Sequence, residues 1–140
     1  MNDIVINKIQ SIQRCIRRAR EEYQADPDGF ATNYTRQDAA LLNVLRACET
    51  AIDLANHVIR VNKLGIPVSS GDSFRLLQTE RIIDIRLAEH LGKMVGFRNL
   101  VIHQYAKIEI RIVEAVIASE LDQLLVFADR IREYLDAAES

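Results

Sequence analysis

Apolar residues recur at alternating intervals of four and three along most of the chain. This spacing places one apolar stripe on the buried side of a helix. The first stripe covers residues 3–24, and the turn-forming residues 26–29 end it. Further stripes predict helices over residues 35–63, from about 84 to 102, and from about 109 to 135. A short helix carrying Phe74 and Leu77 lies between the second and third of these.

Capping and turn residues set the boundaries of these helices. Thr35 and Asp38 approximate a capping box at the start of the second helix, with Asp in place of the usual Glu. Residues 64–67, Leu-Gly-Ile-Pro, end that helix, and Ser69, Ser70 and Asp72 are caps for the short one. The sequence therefore predicts an all-α fold: an up-and-down helical bundle of four long helices plus one short helix. The weakest part of this prediction is the β-branched stretch 107–116, since Ile and Val also form strands.

Composition fits one domain spanning residues 1–140. Hydrophobic residues make up 49% of the chain and charged residues 27%, which suffices for a core with a charged surface. A net charge of −2 excludes a protein that binds nucleic acid by bulk positive charge alone, although Arg outnumbers Lys by 14 to 4. Cys15 and Cys48 lie on or beside apolar stripes and are expected to be buried, reduced thiols. We expect a cytoplasmic protein, because we find neither a signal peptide nor an apolar run of the ~18 residues that a membrane span needs.

Two pairs of side chains have the spacing of a helical metal site. Asp53 and His57 stand four residues apart on one predicted helix, as do Arg86 and His90 on another. Neither pair has an obvious third ligand, and such pairs are more often side-chain interactions or packing residues than metal sites. We therefore predict no metal and no cofactor, and leave the role of Asp53 and His57 open.

The remaining chemistry lies near the end of the helix that begins around residue 84. Arg98 is a permanent cation, and Tyr105 carries a phenol. Between them His103 supplies an imidazole, the side-chain type most used for proton transfer near neutral pH. A His that moves a proton and an Arg that stabilises charge on phosphate oxygens suit RNA transesterification, in which the 2′-hydroxyl attacks the adjacent phosphate. In a chain with 14 Arg, the Arg98–His103 spacing alone is weak. The alternative is a solvated Arg and a His placed favourably at the helix dipole.

The wider sequence resembles the HEPN superfamily, and within it the HepT-type toxins. The family signature Arg-x4-His-x-Tyr is present as Arg98, His103 and Tyr105. The resemblance covers about residues 36–136, and the order and spacing of its blocks are more specific than Arg-x4-His. The other family-like stretches are residues 51–57, 64–67, 73–77 and 94–99.

The resemblance implies a homodimeric helical bundle that cuts RNA without metal, with two copies of the motif meeting in one cleft. Arg98 would hold the scissile phosphate, His103 would move the proton, and the neighbouring Asn99 would help to position either. Tyr105 would accept AMP from a minimal nucleotidyltransferase antitoxin, whose added phosphate would silence the toxin. A purely bracing role for Tyr105 is the alternative.

A second function class also fits a HEPN-like bundle. Such a protein can be a non-catalytic binding subunit that presents substrate to a partner nucleotidyltransferase. A basic patch on the first helix, formed by Arg14, Arg17, Arg18 and Arg20, is either a guide for RNA or a solvated face. Which RNA is cleaved does not follow from the sequence.

Overall fold

The structure, a computed structural model, describes residues 2–139 as helices joined by short connections. Within that range it contains no strand, and the predicted all-α bundle of four long helices plus one short helix is confirmed. The predicted domain limits, 1 and 140, lie outside the described residues. The elements in chain order are α1 (Asp3–Gln24), a 3₁₀ turn (Phe30–Thr32), α2 (Tyr34–Val61), α3 (Ser70–Thr79), α4 (Ile85–His103), a 3₁₀ turn (Tyr105–Lys107), α5 (Ile110–Ala115), a π-helical turn (Val116–Glu120) and α6 (Leu121–Glu139).

The helix α2 lies at the centre of the bundle. It has 28 residues, and it packs against α1, α3, α4 and α6. The apolar stripe predicted for α2 is buried except at Leu45, which is partly buried; the stripe consists of Leu41, Leu45, Cys48, Ile52, Ala55 and Ile59. Because α2 contacts four other helices, a side chain on its surface can reach groups that are distant in the sequence.

The N-terminus of α2 differs from the prediction. Thr35 and Asp38 do not form a capping box. Instead, the Asn33 side chain accepts a hydrogen bond from the Arg36 backbone N–H at 3.0 Å, so the helix begins at Tyr34. Asn is as effective an N-cap as Asp or Ser, and its position after a 3₁₀ turn decides where the helix starts. This leaves the Asp38 carboxylate available for a different contact.

Turn and capping residues fix the end of α2 and the starts of α3 and α4, and those at positions 65–72 agree with the sequence prediction. Gly65 adopts a φ of 136° in the turn after α2, a conformation that strongly favours glycine. Ser69 caps α3 by accepting from the Asp72 N–H at 3.1 Å, and the Asp72 carboxylate accepts from the Val68 N–H at 3.0 Å. Asp84 caps α4 by accepting from the Leu87 N–H at 2.8 Å. These bonds fix the first turns of α3 and α4.

The β-branched stretch at residues 107–116 is not a strand. It enters the last helix, in which α5, the π-helical turn and α6 follow one another without a break. The buried side chains of this helix include Val113, Ile117, Leu121, Leu124 and Ile131, as the stripe predicts. The stretch is helical because packing of that stripe on the bundle outweighs the local β propensity of its Ile and Val residues.

The cysteine prediction is confirmed, since Cys15 and Cys48 are both free and buried. Burial raises the pKa of the Cys48 thiol to about 12, and neighbouring Glu49 adds to that rise. Cys48 is therefore protonated at neutral pH and is not a nucleophile there. Across residues 2–139, no helix is both long and apolar enough to cross a membrane.

Candidate active site

The position of Arg98 on α4 follows from the apolar stripe of that helix. Leu87, Leu91, Met94 and Val101 are buried at intervals of four, three and seven residues. Position 98 continues the same spacing, so the helix directs an arginine towards the interior. Only 17% of the Arg98 side chain is exposed. A cation in that place needs polar partners, because an unpaired buried charge is costly.

Two elements supply partners for Arg98. From α2, Glu49 places Oε1 3.4 Å from Arg98 Nη1. From the first turn of α3, Ser70 accepts a hydrogen bond from Arg98 Nη2 at 2.8 Å. The Arg98 Nε atom is buried and has no hydrogen-bond partner within the described chain. The guanidinium is therefore held at two of its nitrogens and retains donor capacity.

His103 occupies a different environment at the end of the same helix. It is the last residue of α4, and the Gln104 N–H closes the final turn on Leu100 O at 2.8 Å. The His103 side chain is exposed and has no hydrogen bond or ion pair with any residue in 2–139. Five helical residues correspond to a rise of about 7.5 Å and a rotation of about 140° between side chains. Arg98 and His103 of one chain thus leave α4 on different sides.

Tyr105 lies in the 3₁₀ turn that follows α4. Tyr105 is 47% exposed. Its hydroxyl donates a hydrogen bond to Asp38 Oδ1 on α2, across 67 residues of sequence. Partial burial and this hydrogen bond raise the pKa of Tyr105 to about 12. Asn99, the fourth candidate residue, is exposed on α4 and makes no side-chain hydrogen bond within residues 2–139.

The two histidine-containing pairs with a spacing of four residues make no contact within either pair among residues 2–139. Asp53 is exposed, whereas His57 is buried with its Nδ1 3.3 Å from Arg60 Nη2. His90 lies with its Nδ1 3.4 Å from Glu120 Oε2, not against Arg86. No group of three or more metal-ligating side chains occurs in the described part of the chain.

Most of the basic patch on α1 is engaged in ion pairs. Arg18 contacts Glu21 and Glu22 at 2.6 and 2.8 Å. Arg20 contacts Asp122 on α6 at 2.6 Å. The neighbouring Arg17 lies 3.7 Å from Glu21. These contacts favour the interpretation of a solvated, ion-paired face over that of an RNA guide.

Sequence reasoning missed three residues around the motif: Glu49, Ser70 as a partner of Arg98, and Asp38 as a partner of Tyr105. Ser70 was recognised only as a cap, and Asp38 only as part of a capping box. Their roles depend on how α2, α3 and α4 pack together, and no local signal in the sequence marks them.

Comparison with known proteins identifies the family of this chain. A family model described as ribonuclease HepT-like matches residues 12–131. The chain belongs to the HepT-like family. The match begins within α1, before residue 36, where the sequence resemblance begins.

Two curated relatives illustrate the range of this HepT-like family. The chain is 45% identical to the mRNA nuclease HepT of Shewanella oneidensis, over 94% of this chain and 98% of the relative. It is 22% identical to the tRNA nuclease HepT of Aphanizomenon flos-aquae, over 94% of this chain and 90% of the relative. The names of the two relatives specify different RNA substrates.

Among solved structures, the chain is similar to a tri-AMPylated HEPN toxin of Shewanella oneidensis in complex with an MNT antitoxin. The TM-score is 0.90 and the identity 44%, with 95% of this chain and 99% of that chain covered. A cytosolic protein from Bacillus subtilis, YutE, matches with a TM-score of 0.78 at 20% identity, over 94% of this chain and 91% of that one. The second likeness shows the HepT-like fold alone.

Proposed function

We propose that the chain is the toxin of a toxin–antitoxin pair, a metal-independent endoribonuclease of the cytoplasm that acts as a homodimer. One observation carries the proposal. On α4 of this HepT-like chain, Arg98 points inward and is held by Glu49 and Ser70. Five residues later, at the end of the helix, His103 is exposed and has no polar partner within residues 2–139. The nuclease names of the relatives support the reaction class.

Arg98 is suited to binding a phosphate. Its Nη2 donates to Ser70, the first residue of α3, so the positive end of the α3 dipole lies beside a permanent cation. A scissile phosphate placed there would accept hydrogen bonds from the guanidinium, which would also stabilise charge that develops on the phosphate oxygens. Exposed Asn99, next in sequence, would help to position the phosphate.

His103 is suited to proton transfer. The 2′-hydroxyl attacks the adjacent phosphorus, the bond to the 5′ oxygen breaks, and a 2′,3′-cyclic phosphate forms. This reaction needs one group to take a proton from the 2′-hydroxyl and one to give a proton to the leaving oxygen. Two copies of the chain would supply two His103 side chains, one for each proton.

The glycines of α4 support the homodimer. Glycine within a helix costs about 1 kcal/mol relative to alanine. A Cβ added at Gly92 or Gly96 would meet nothing within 4 Å in the chain, so intrachain packing does not require either glycine. Close approach of a second copy would require a residue without a side chain at these positions. Both glycines lie on the same helix as Asn99 and His103.

Tyr105 is the proposed acceptor for AMP, transferred by an antitoxin of the minimal nucleotidyltransferase type. The AMPylated state of the Shewanella toxin in its MNT complex supports this assignment. The added phosphodiester would place negative charge and bulk two residues from His103, at a site that binds RNA phosphate.

The test is cleavage of total RNA by purified protein in EDTA, beside an Arg98→Ala/His103→Ala double variant. We expect cleavage by the wild type, 2′,3′-cyclic phosphate ends on the products, and loss of both in the double variant. Cleavage that stops in EDTA would refute metal independence. RNA binding without cleavage by the wild type would instead favour the non-catalytic binding subunit.

A further inference from the structure

The Tyr105 hydroxyl has one polar partner in the described chain, the Asp38 carboxylate. Asp38 lies on the second turn of α2 and is exposed, and no arginine, lysine or backbone N–H of residues 2–139 competes for its oxygens. The capping role that the sequence suggested for it is taken by Asn33. The Asp38 carboxylate thus has a single polar contact among the described residues. That contact is with the Tyr105 hydroxyl oxygen, which is the nucleophile in the proposed transfer of AMP.

We propose that Asp38 is the proton acceptor for transfer of AMP to Tyr105. This inference rests on the proposed function of Tyr105. The Tyr105 Oη attacks the α-phosphorus of ATP held by the nucleotidyltransferase, and a new P–O bond forms. The bond between the α-phosphorus and the bridging oxygen breaks, and pyrophosphate leaves. The phenolic proton passes to Asp38 Oδ1 and from this exposed carboxylate to solvent.

The reaction needs such an acceptor because the phenol is protonated before the transfer. A phenol with a pKa of about 12 supplies very little phenolate at neutral pH. Its proton must therefore leave as the P–O bond forms. A carboxylate already hydrogen-bonded to the hydroxyl is in place to take it, and positioned proton transfer is typically worth about 10²–10⁴ in rate.

Asp38 also distinguishes Tyr105 from the other tyrosines. The chain has four, all within the described residues. Tyr34 is more exposed, at 76%, but its hydroxyl has no hydrogen bond within residues 2–139. Tyr23 reaches Glu114 only at 3.4 Å and is partly buried. Tyr134 is also partly buried, and its hydroxyl has no hydrogen bond within residues 2–139. Tyr105 combines an accessible hydroxyl with a close carboxylate, which is the combination that an incoming phosphorus centre needs.

The test compares rates of AMP transfer, by intact mass, for wild type, Asp38→Asn, Asp38→Glu and Tyr105→Phe with the cognate nucleotidyltransferase and Mg-ATP. Asn keeps a hydrogen-bond acceptor but is not a base. We expect Asp38→Asn to lower the rate about 100-fold or more while affinity for the partner stays unchanged. Asp38→Glu should recover part of the loss. Asp53→Asn, the same change at an exposed position of α2, should transfer AMP like the wild type.

The pH profile separates a proton acceptor from a residue that only positions the ring. Between about pH 6 and 9 the wild-type rate should be nearly flat, because the phenolic proton passes to the hydrogen-bonded carboxylate and not to hydroxide in solution. The Asp38→Asn rate should rise about tenfold per pH unit, because it depends on the phenolate fraction. Parallel profiles, or a wild-type rate in Asp38→Asn, would overturn the inference.

Failure of the inference and failure of the proposed role of Tyr105 give different results. AMP addition to Tyr105→Phe would show that another residue is the acceptor, and the proposed role of Tyr105 would be wrong. Loss of AMP in Tyr105→Phe with normal transfer to Asp38→Asn would refute the role of Asp38 alone. RNA cleavage by unmodified Asp38→Asn at the wild-type rate serves as the control for folding.

Discussion

The guanidinium of Arg98 is paired with the carboxylate of Glu49, with 3.4 Å between Nη1 and Oε1. The pair is asymmetric, since 17% of the Arg98 side chain is exposed but 44% of the Glu49 side chain. Glu49 therefore partly neutralises the cation that is proposed to bind RNA, and the Oε1 atom that faces Arg98 is itself buried. An incoming phosphate would compete with this carboxylate for the same guanidinium.

This relationship predicts the effect of Glu49→Gln. Ser70 continues to hold Nη2 in the variant, and the competing negative charge is gone. We expect RNA to bind about two- to fivefold more tightly, consistent with the roughly 0.2–1 kcal/mol of a partly exposed ion pair. Titration of a fluorescent oligoribonucleotide measures the change. Glu133→Gln, which removes the same charge from the Arg130–Glu133 pair on α6, is the matched control. Equal or weaker binding by Glu49→Gln would show that Glu49 positions Arg98 without competing for it.

Single variants of the motif test the two proposed roles separately. His103→Ala should lower the rate of RNA cleavage about 10²–10⁴-fold, with RNA affinity little changed. Arg98→Ala should lower both, because the guanidinium contacts the phosphate before and during the reaction. His90→Ala, on the same helix but paired with Glu120, is the control and should cleave like the wild type. Undiminished cleavage in both motif variants would show that the catalytic site lies elsewhere in the protein.

Tyr105→Phe removes only the hydroxyl from a side chain that is 47% exposed, so the fold and cleavage should be retained. We expect this variant to escape AMP addition and to stay toxic when the nucleotidyltransferase is present. Tyr34→Phe is the control, because Tyr34 is more exposed, at 76%. Intact-mass measurement decides: if accessibility alone selected the acceptor, Tyr34→Phe would lose AMP and Tyr105→Phe would keep it.

Substitution of Gly92 and Gly96 on α4 should disrupt the dimer without unfolding the chain. Leucine at Gly92 and Gly96 meets no atom of the chain near its Cβ and is a better helix former, so helix content should be retained. The added side chains should prevent close approach of a second copy, giving a monomer in sedimentation and no RNA cleavage. Gly71→Leu, whose Cβ also meets nothing within 4 Å, should remain dimeric. A dimer in the double variant would place the interface on another face.

His57 predicts a loss of stability on mild acidification. Burial, and then the charges of Arg60 and Lys8, lower its pKa below the ordinary 6.5. As pH falls, the unfolded chain binds a proton on His57 before the folded chain does. The contribution of neutral His57 to the free energy of unfolding is therefore complete above about pH 6.5 and is lost as pH falls through the lower pKa of the folded state. One proton limits the slope to about 1.4 kcal/mol per pH unit. Urea unfolding between about pH 7.5 and 5.5 should give a shallower dependence for His57→Gln than for the wild type. Identical slopes would contradict the assignment.

The sequence by itself determined the helices and the residues of the motif. Stripe spacing and the caps Ser69 and Asp84 are local signals, because they depend on residues within one or two turns. For the same reason Arg98, His103 and Tyr105 were identifiable as a group, and the position of Arg98 on a buried stripe was set by its spacing. The error at the start of α2 was also local: the prediction placed the cap at Thr35, whereas Asn33, two residues earlier, caps the helix.

Only the tertiary structure decided what surrounds the motif. Glu49 and Ser70 reach Arg98 because α2, α3 and α4 pack with a particular rotation and axial offset. Asp38 reaches Tyr105, 67 residues away, because the turn after α4 folds back onto α2. Helix periodicity specifies which side chains face inward, but not which of them meet across an interface, since that depends on the packing of all side chains in the core at once.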